Sequence, residues 1–146
     1  MAAAVAGVVV VAGAATVSLD ASHRRVVLGS RHFGISVYAQ GWGSERPAII
    51  YNGGDPSGMI SSVRWDTWGG RIARGRGKTS IFAPTGGYYP TLVRIQLRAS
   101  SVGRCDPRGP LAYLALDFRV PDHPGGKLGR WQSWTRSATL CRPPGR

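Results

Sequence analysis

Residues 91–98 alternate with a period of two, placing Val93, Ile95 and Leu97 on one side and Arg94, Gln96 and Arg98 on the other. Residues 112–120 repeat the pattern: Leu114, Leu116, Phe118 and Val120 alternate with Tyr113, Ala115, Asp117 and Arg119. Extended backbone sends successive side chains to opposite faces, so this spacing predicts half-buried strands of an antiparallel sheet. Residues 33–39, 48–51 and 60–68 read as further strands, and 137–141 as a last strand-like stretch. Turn clusters separate them, among them Gly41-Trp42-Gly43-Ser44, Asn52-Gly53-Gly54-Asp55-Pro56 and Asp106-Pro107-Arg108-Gly109-Pro110. No window offers a capped amphipathic helix. The expected class is all-β, an antiparallel β-sandwich or a small barrel, and 146 residues suit one domain.

The N-terminus reads differently. Residues 2–17 are an Ala/Val/Gly run broken only by Thr16, short for a membrane span and suited to the apolar region of a secretory signal. Small residues near Ala14 and Ala21 offer cleavage sites, although no Lys or Arg precedes the run. The expectation is a signal peptide over 1–21, a domain over 22–142 and a disordered tail over 143–146; a buried strand or an uncleaved anchor is the alternative. Cleavage near Ala21 removes Asp20 and no cation, adding one unit to a formal net charge that is already +12. Export also gives meaning to Cys105 and Cys141. A lone pair of cysteines in an oxidising compartment is most simply a disulfide, here expected to pin the C-terminal segment.

Residues 69–79 resemble a phosphate-binding loop at first sight, but Ile72 stands where the Walker pattern needs glycine. The stretch reads better as a strand. Arg71, Ala73, Gly75 and Gly77 share one face, small enough to admit a second backbone or a Trp ring. Arg74, Arg76 and Lys78 share the other with Ile72, as a cationic stripe for a polyanion or as a charged edge that resists aggregation. Trp65-x-x-Trp68 and Trp131-x-x-Trp134 each place two indoles three residues apart, so in a regular strand one faces away from the core. The partner indole then lies outward, at a bulge or under a loop. Arg64-Trp65-Asp66-Thr67-Trp68 and Arg130-Trp131-Gln132-Ser133-Trp134 also match one another, as equivalent strands of two sheets or by coincidence.

Catalytic and metal residues are not found in any recognisable pattern. His23, His32 and His123 lack zinc-site spacing, there is no nucleophile elbow, and no cofactor motif is present. Asp55 and Asp106 each precede a proline, where an Asx turn accounts for them.

The order Trp65-x-x-Trp68-Gly69, Ala73-x-Gly75-x-Gly77 and Tyr89-Pro90-x-x-Val93-x-x-x-Leu97 resembles a group of small secreted actinobacterial β-rich proteins of unknown function. Several of these carry cysteines in the turn that here spans 81–89 and has none. The resemblance implies secretion and a β fold and transfers no catalytic residue.

The expected function is a secreted, basic, non-enzymatic module that contacts an anionic envelope polymer or surface through Arg71, Arg74, Arg76, Lys78, Arg94 and Arg98. A membrane surface and non-specific nucleic acid fall within the same partner class. One alternative is a carbohydrate-binding module stacking sugars on Trp42, Trp131 or Trp134; another is an uncharacterised hydrolase. Oligomeric state is left open.

Overall fold

A computed structural model describes residues 25–122 and 128–143. The expected signal segment, His23, His123 and the end of the tail lie outside the described residues. Among the described residues seven strands form: β1 (Val26–Leu28), β2 (Ile50–Tyr51), β3 (Met59–Thr67), β4 (Ala73–Thr79), β5 (Val93–Arg104), β6 (Leu111–Arg119) and β7 (Gln132–Ser133). One 3₁₀ turn, Pro56–Gly58, is capped by Asp55. The class is all-β, with a Cys105–Cys141 disulfide.

The expected two-layer sandwich does not form. A single sheet runs in the order β1-β6-β5-β4-β3-β2, with β7 beside β6, and curls into a half-barrel. Nor is it wholly antiparallel, since β1 pairs with β6 in parallel. The long strands obey the period of two. Along β4, Ala73, Gly75, Gly77 and Thr79 are buried and Arg74, Arg76 and Lys78 exposed. In β5, Ile95, Leu97 and Ala99 enter the core.

The glycines of β4 admit close neighbours. A Cβ at Gly75 would lie 2.7 Å from the Arg64 carbonyl oxygen and 2.9 Å from the Trp65 ring, and one at Gly77 2.7 Å from Ile60. The concave face of the sheet thus presses β3 side chains against bare β4 backbone.

Strand β3 departs from a simple alternation. Its register against β4 shifts between Ser61 and Arg64 and again between Trp65 and Thr67. Each shift reverses which side chains face inward. As a result Val63, Trp65 and Trp68 all pack on the core, although Trp65 and Trp68 are three apart. Their rings meet edge to face at 4.6 Å, and Trp68 meets Tyr113 at 5.1 Å. Strand β6 also changes face: Tyr113 and Leu116 are both buried, whereas alternation had grouped Leu114 with Leu116 and turned Tyr113 outward. Opposite this point in β5, Ser101 has φ +59°.

Two other expected strands are absent. Residues 33–39 fold back as a turn, in which Ala39 N–H donates to the Ser36 carbonyl and Ser36 Oγ–H to the Gly53 carbonyl. Phe33 is buried, but Ile35 and Val37 point to solvent because no neighbouring strand covers them. Residues 137–141 are irregular. They are nevertheless held in place, since Leu140 is buried and its N–H donates to the Leu114 carbonyl, beside the disulfide. The two Arg-Trp-x-x-Trp segments are not equivalent, one lying along β3 and the other spanning β7.

Tyr113 links β6 to the β3–β4 turn. Its hydroxyl accepts from Gly69 N–H at 3.0 Å and donates to the Gly70 carbonyl at 2.8 Å. Burial raises its pKa above the ordinary value, only partly offset by the bond from Gly69. The folded state therefore holds this proton to higher pH than the unfolded chain does. Its contribution to stability is complete below about pH 10 and is lost as pH rises through the folded pKa. Tyr113→Phe should flatten the alkaline limb of a stability–pH curve measured by urea denaturation. Gly75→Val should destabilise by about 1–3 kcal/mol through overpacking, while Gly58→Ala, whose Cβ meets nothing within 4 Å, should change stability by less than about 0.5 kcal/mol.

Candidate functional site

The outer, convex face of the sheet collects cations in register. Arg74 pairs across to Arg98 and Lys78 to Arg94, while Arg64 lies opposite Arg76. Arg98 continues to Asp117 and Gln96 to Arg119 on β6. Residues two apart on a strand are separated by roughly 6.8 Å and neighbouring strands by about 4.8 Å, so these groups form a grid. Seven cations, Arg64, Arg74, Arg76, Lys78, Arg94, Arg98 and Arg119, share it with the carboxylates Asp66 and Asp117.

The two carboxylates are each engaged. Asp66 lies 3.4 Å from Arg76 Nη1, with both side chains more than half exposed. Asp117 Oδ2 accepts from Arg98 Nη2 at 2.7 Å and from Nε at 3.2 Å, a more sheltered pair. Arg119 Nε donates to Gln96 Oε1 at 2.6 Å. Trp131 lies over this corner, its ring centroid 4.6 Å from the Arg98 guanidinium carbon and 4.8 Å from that of Arg119. The indole and the bonded acceptors hold both guanidinium planes in fixed positions. A cleft of about 240 Å³ opens there, lined by Asp66, Arg74, Arg76, Gln96, Arg119 and Trp131 among others.

Like charges directly opposite on neighbouring strands repel. Asp66 relieves Arg76, and Asp117 relieves Arg98. Among the described residues no carboxylate pairs with Arg74, Lys78 or Arg94. The face is therefore a sheet surface with a net excess of five positive charges, part of it locked in place and part free to turn toward an anion.

Of the six cations expected to act together, the structure unites Arg74, Arg76, Lys78, Arg94 and Arg98. Arg71 is separate: it sits in the β3–β4 turn beside Ile72, Ser100, Ser101 and Val102. Sequence reasoning did not include Arg64 and Arg119 in this group. Alternation marks Arg119 as outward, but only the register brings it beside Gln96; Arg64 joins through the first β3 bulge.

The expected sugar-stacking residues are dispersed. Trp42 is 6% exposed, packed on Phe33 at 4.5 Å with its N–H donated to the Tyr51 carbonyl. Trp134 packs edge to face on Phe118 at 5.2 Å on the core side. Trp131 is outward but carries the two guanidinium groups. Of the acids a hydrolase could draw on, Asp66 and Asp117 pair with arginines and two more are used in turns. Asp55 accepts from Ser57 N–H and Asp106 from Arg108 N–H, the Asx turns expected of both. The Ser57 bonds hold the Asp55 carboxyl below its ordinary pKa. Among the described residues no three His, Cys, Asp or Glu side chains gather as a metal site.

Comparison of the chain with models of protein families, with curated proteins and with solved structures finds no match in any of the three.

The Arg98–Asp117 pair is open to direct measurement. A double-mutant cycle with Arg98→Ala and Asp117→Ala should give a coupling of about 1 kcal/mol in urea denaturation, given its partial shelter from solvent. Asp117→Ala alone should cost more stability than Asp66→Ala, because the Arg98–Asp117 pair is shorter and more sheltered than Arg76–Asp66.

Proposed function

We infer that this chain is a secreted, non-enzymatic binding module that holds an anionic envelope polymer against the convex face of its sheet. The observation that carries the reading is the registered grid of Arg64, Arg74, Arg76, Lys78, Arg94, Arg98 and Arg119, in which, among the described residues, two cations have a carboxylate partner. An open array of this kind on a convex face suits a repeating anion that can follow the surface. Each contact is weak and screened, and the contributions add along a polymer. Arginine planes held by Trp131, Gln96 and Asp117 are poised for carboxylate or phosphate oxygens without further ordering. The disulfide and the apolar N-terminal run support an extracellular location.

The neutral-glycan reading has less support, because Trp42 and Trp134 face the core and Trp131 is covered by guanidinium groups. Non-specific nucleic acid belongs to the same anionic class and serves as a comparison ligand.

On a heparin column the wild type should elute at high salt. Arg74→Ala with Arg76→Ala should elute earlier, and Asp66→Asn later. With single-stranded DNA as ligand, the slope of log K against log salt should fall by about 0.7 for each contact removed. Elution unchanged in the Arg74/Arg76 variant would sink the assignment of this face.

A further inference from the structure

A second surface stands at one end of the sheet, where the β2–β3 and β4–β5 connections meet. Tyr88 Oη bonds to Ser57 Oγ at 3.0 Å, joining the two connections. The 34–39 turn joins them too: Ile35 N–H donates to the Asn52 carbonyl, and Ser36 Oγ–H to the Gly53 carbonyl. Phe82 packs edge to face on Tyr88 at 5.4 Å. Together the three segments present Ile35, Val37, Tyr38, Phe82, Tyr88 and Leu92, each more than half exposed, with Val37 reaching 91%.

Six exposed large apolar side chains on three joined segments are the kind of feature that marks an interaction surface. Basic groups flank it. The Lys78–Arg94 pair, which no described carboxylate compensates, lies one residue from the strand ends Thr79 and Val93 that lead into the 80–92 connection. Arg136 lines a groove with Phe82, Tyr88 and Ser57. Against these stands Asp55, the carboxylate of the β2–β3 connection, kept ionised by Ser57.

We propose that this rim docks on a bilayer containing anionic lipid, with Val37, Tyr38, Phe82 and Leu92 entering the headgroup region while Lys78, Arg94 and Arg136 meet the phosphates. The combination decides the occupant. A soluble polyanion offers no apolar phase in which to bury Val37 or Leu92. A second copy of the chain would bring the same excess of positive charge to the contact, with Asp55 the carboxylate described there to offset it. A bilayer interface supplies apolar depth and negative charge at once, and aromatic residues such as Tyr38 and Tyr88 favour that boundary. The inference rests on the binding reading above only in its use of the Lys78–Arg94 pair, which belongs to both surfaces.

The test is sedimentation of the protein with vesicles of phosphatidylcholine, with and without phosphatidylglycerol, at physiological salt. The wild type should sediment with the anionic vesicles. Val37→Ser with Phe82→Ser and Leu92→Ser should weaken that partition about tenfold, with heparin elution and far-ultraviolet dichroism unchanged, since these side chains are exposed. Wild type that stays in the supernatant overturns the proposal. So does a triple variant that sediments like the wild type; if Arg74→Ala with Arg76→Ala alone then abolishes binding, the convex face stands and the rim does not. A wild type that is dimeric in sedimentation equilibrium and becomes monomeric in the triple variant also overturns it, by making the rim a contact between copies.

Discussion

The half-barrel depends on a clasp between strands that no ladder joins. Trp68, just beyond β3, donates its indole N–H to the Val26 carbonyl of β1 at 2.9 Å, and its ring packs on Tyr113. Tyr113 in turn holds the backbone of Gly69 and Gly70 from its place on β6. Nearby, Gly43 N–H donates to the Leu28 carbonyl, Leu28 N–H to Ser44, and Val63 N–H to Ala48. The 43–48 segment therefore carries backbone bonding from β1 across to β3. A sheet with β1 and β2 at its two ends is drawn round on itself, and its inner face becomes the core.

Curling gives the two faces different duties. Inside, the bare backbone at Gly75 and Gly77 lets Trp65, Ile60 and Val63 approach closely, so large side chains fill a small volume. Outside, the same strand bears Arg74, Arg76 and Lys78, which cannot turn inward because the alternation is tied to that packing. The cationic face is thus a consequence of the core as well as a surface. Trp131 and Asp117 then order part of it, Asp66 offsets Arg76, and Lys78 and Arg94 stand without a described carboxylate partner at the end near the apolar rim.

Much of this was legible in the chain. Strands β4, β5 and most of β6 follow from alternation, the outward set on β4 follows with them, and the disulfide was the simplest use of two cysteines. The misreadings share a cause. Residues 33–39 alternate as well as any strand, yet Ile35 and Val37 have no neighbouring strand to pack beneath and the segment turns back on Asn52 and Gly53. Alternation carried through residues 112–120 turns Tyr113 outward, past a point where β6 changes face. Both Trp65 and Trp68 reach the core only because β3 inserts extra residues against β4.

By itself the sequence determined the all-β class, the period that separates apolar from basic side chains, and an excess of arginine to be carried somewhere on the surface. These are local properties, decided by the geometry of an extended chain. Only the tertiary structure decided that there is one curled sheet rather than two stacked ones, that Arg71 stands apart, and that Arg64 and Arg119 join the cationic grid. Those outcomes depend on register, on bulges and on a parallel β1–β6 pairing. Register is a property of pairs of strands, and no single stretch of sequence contains it.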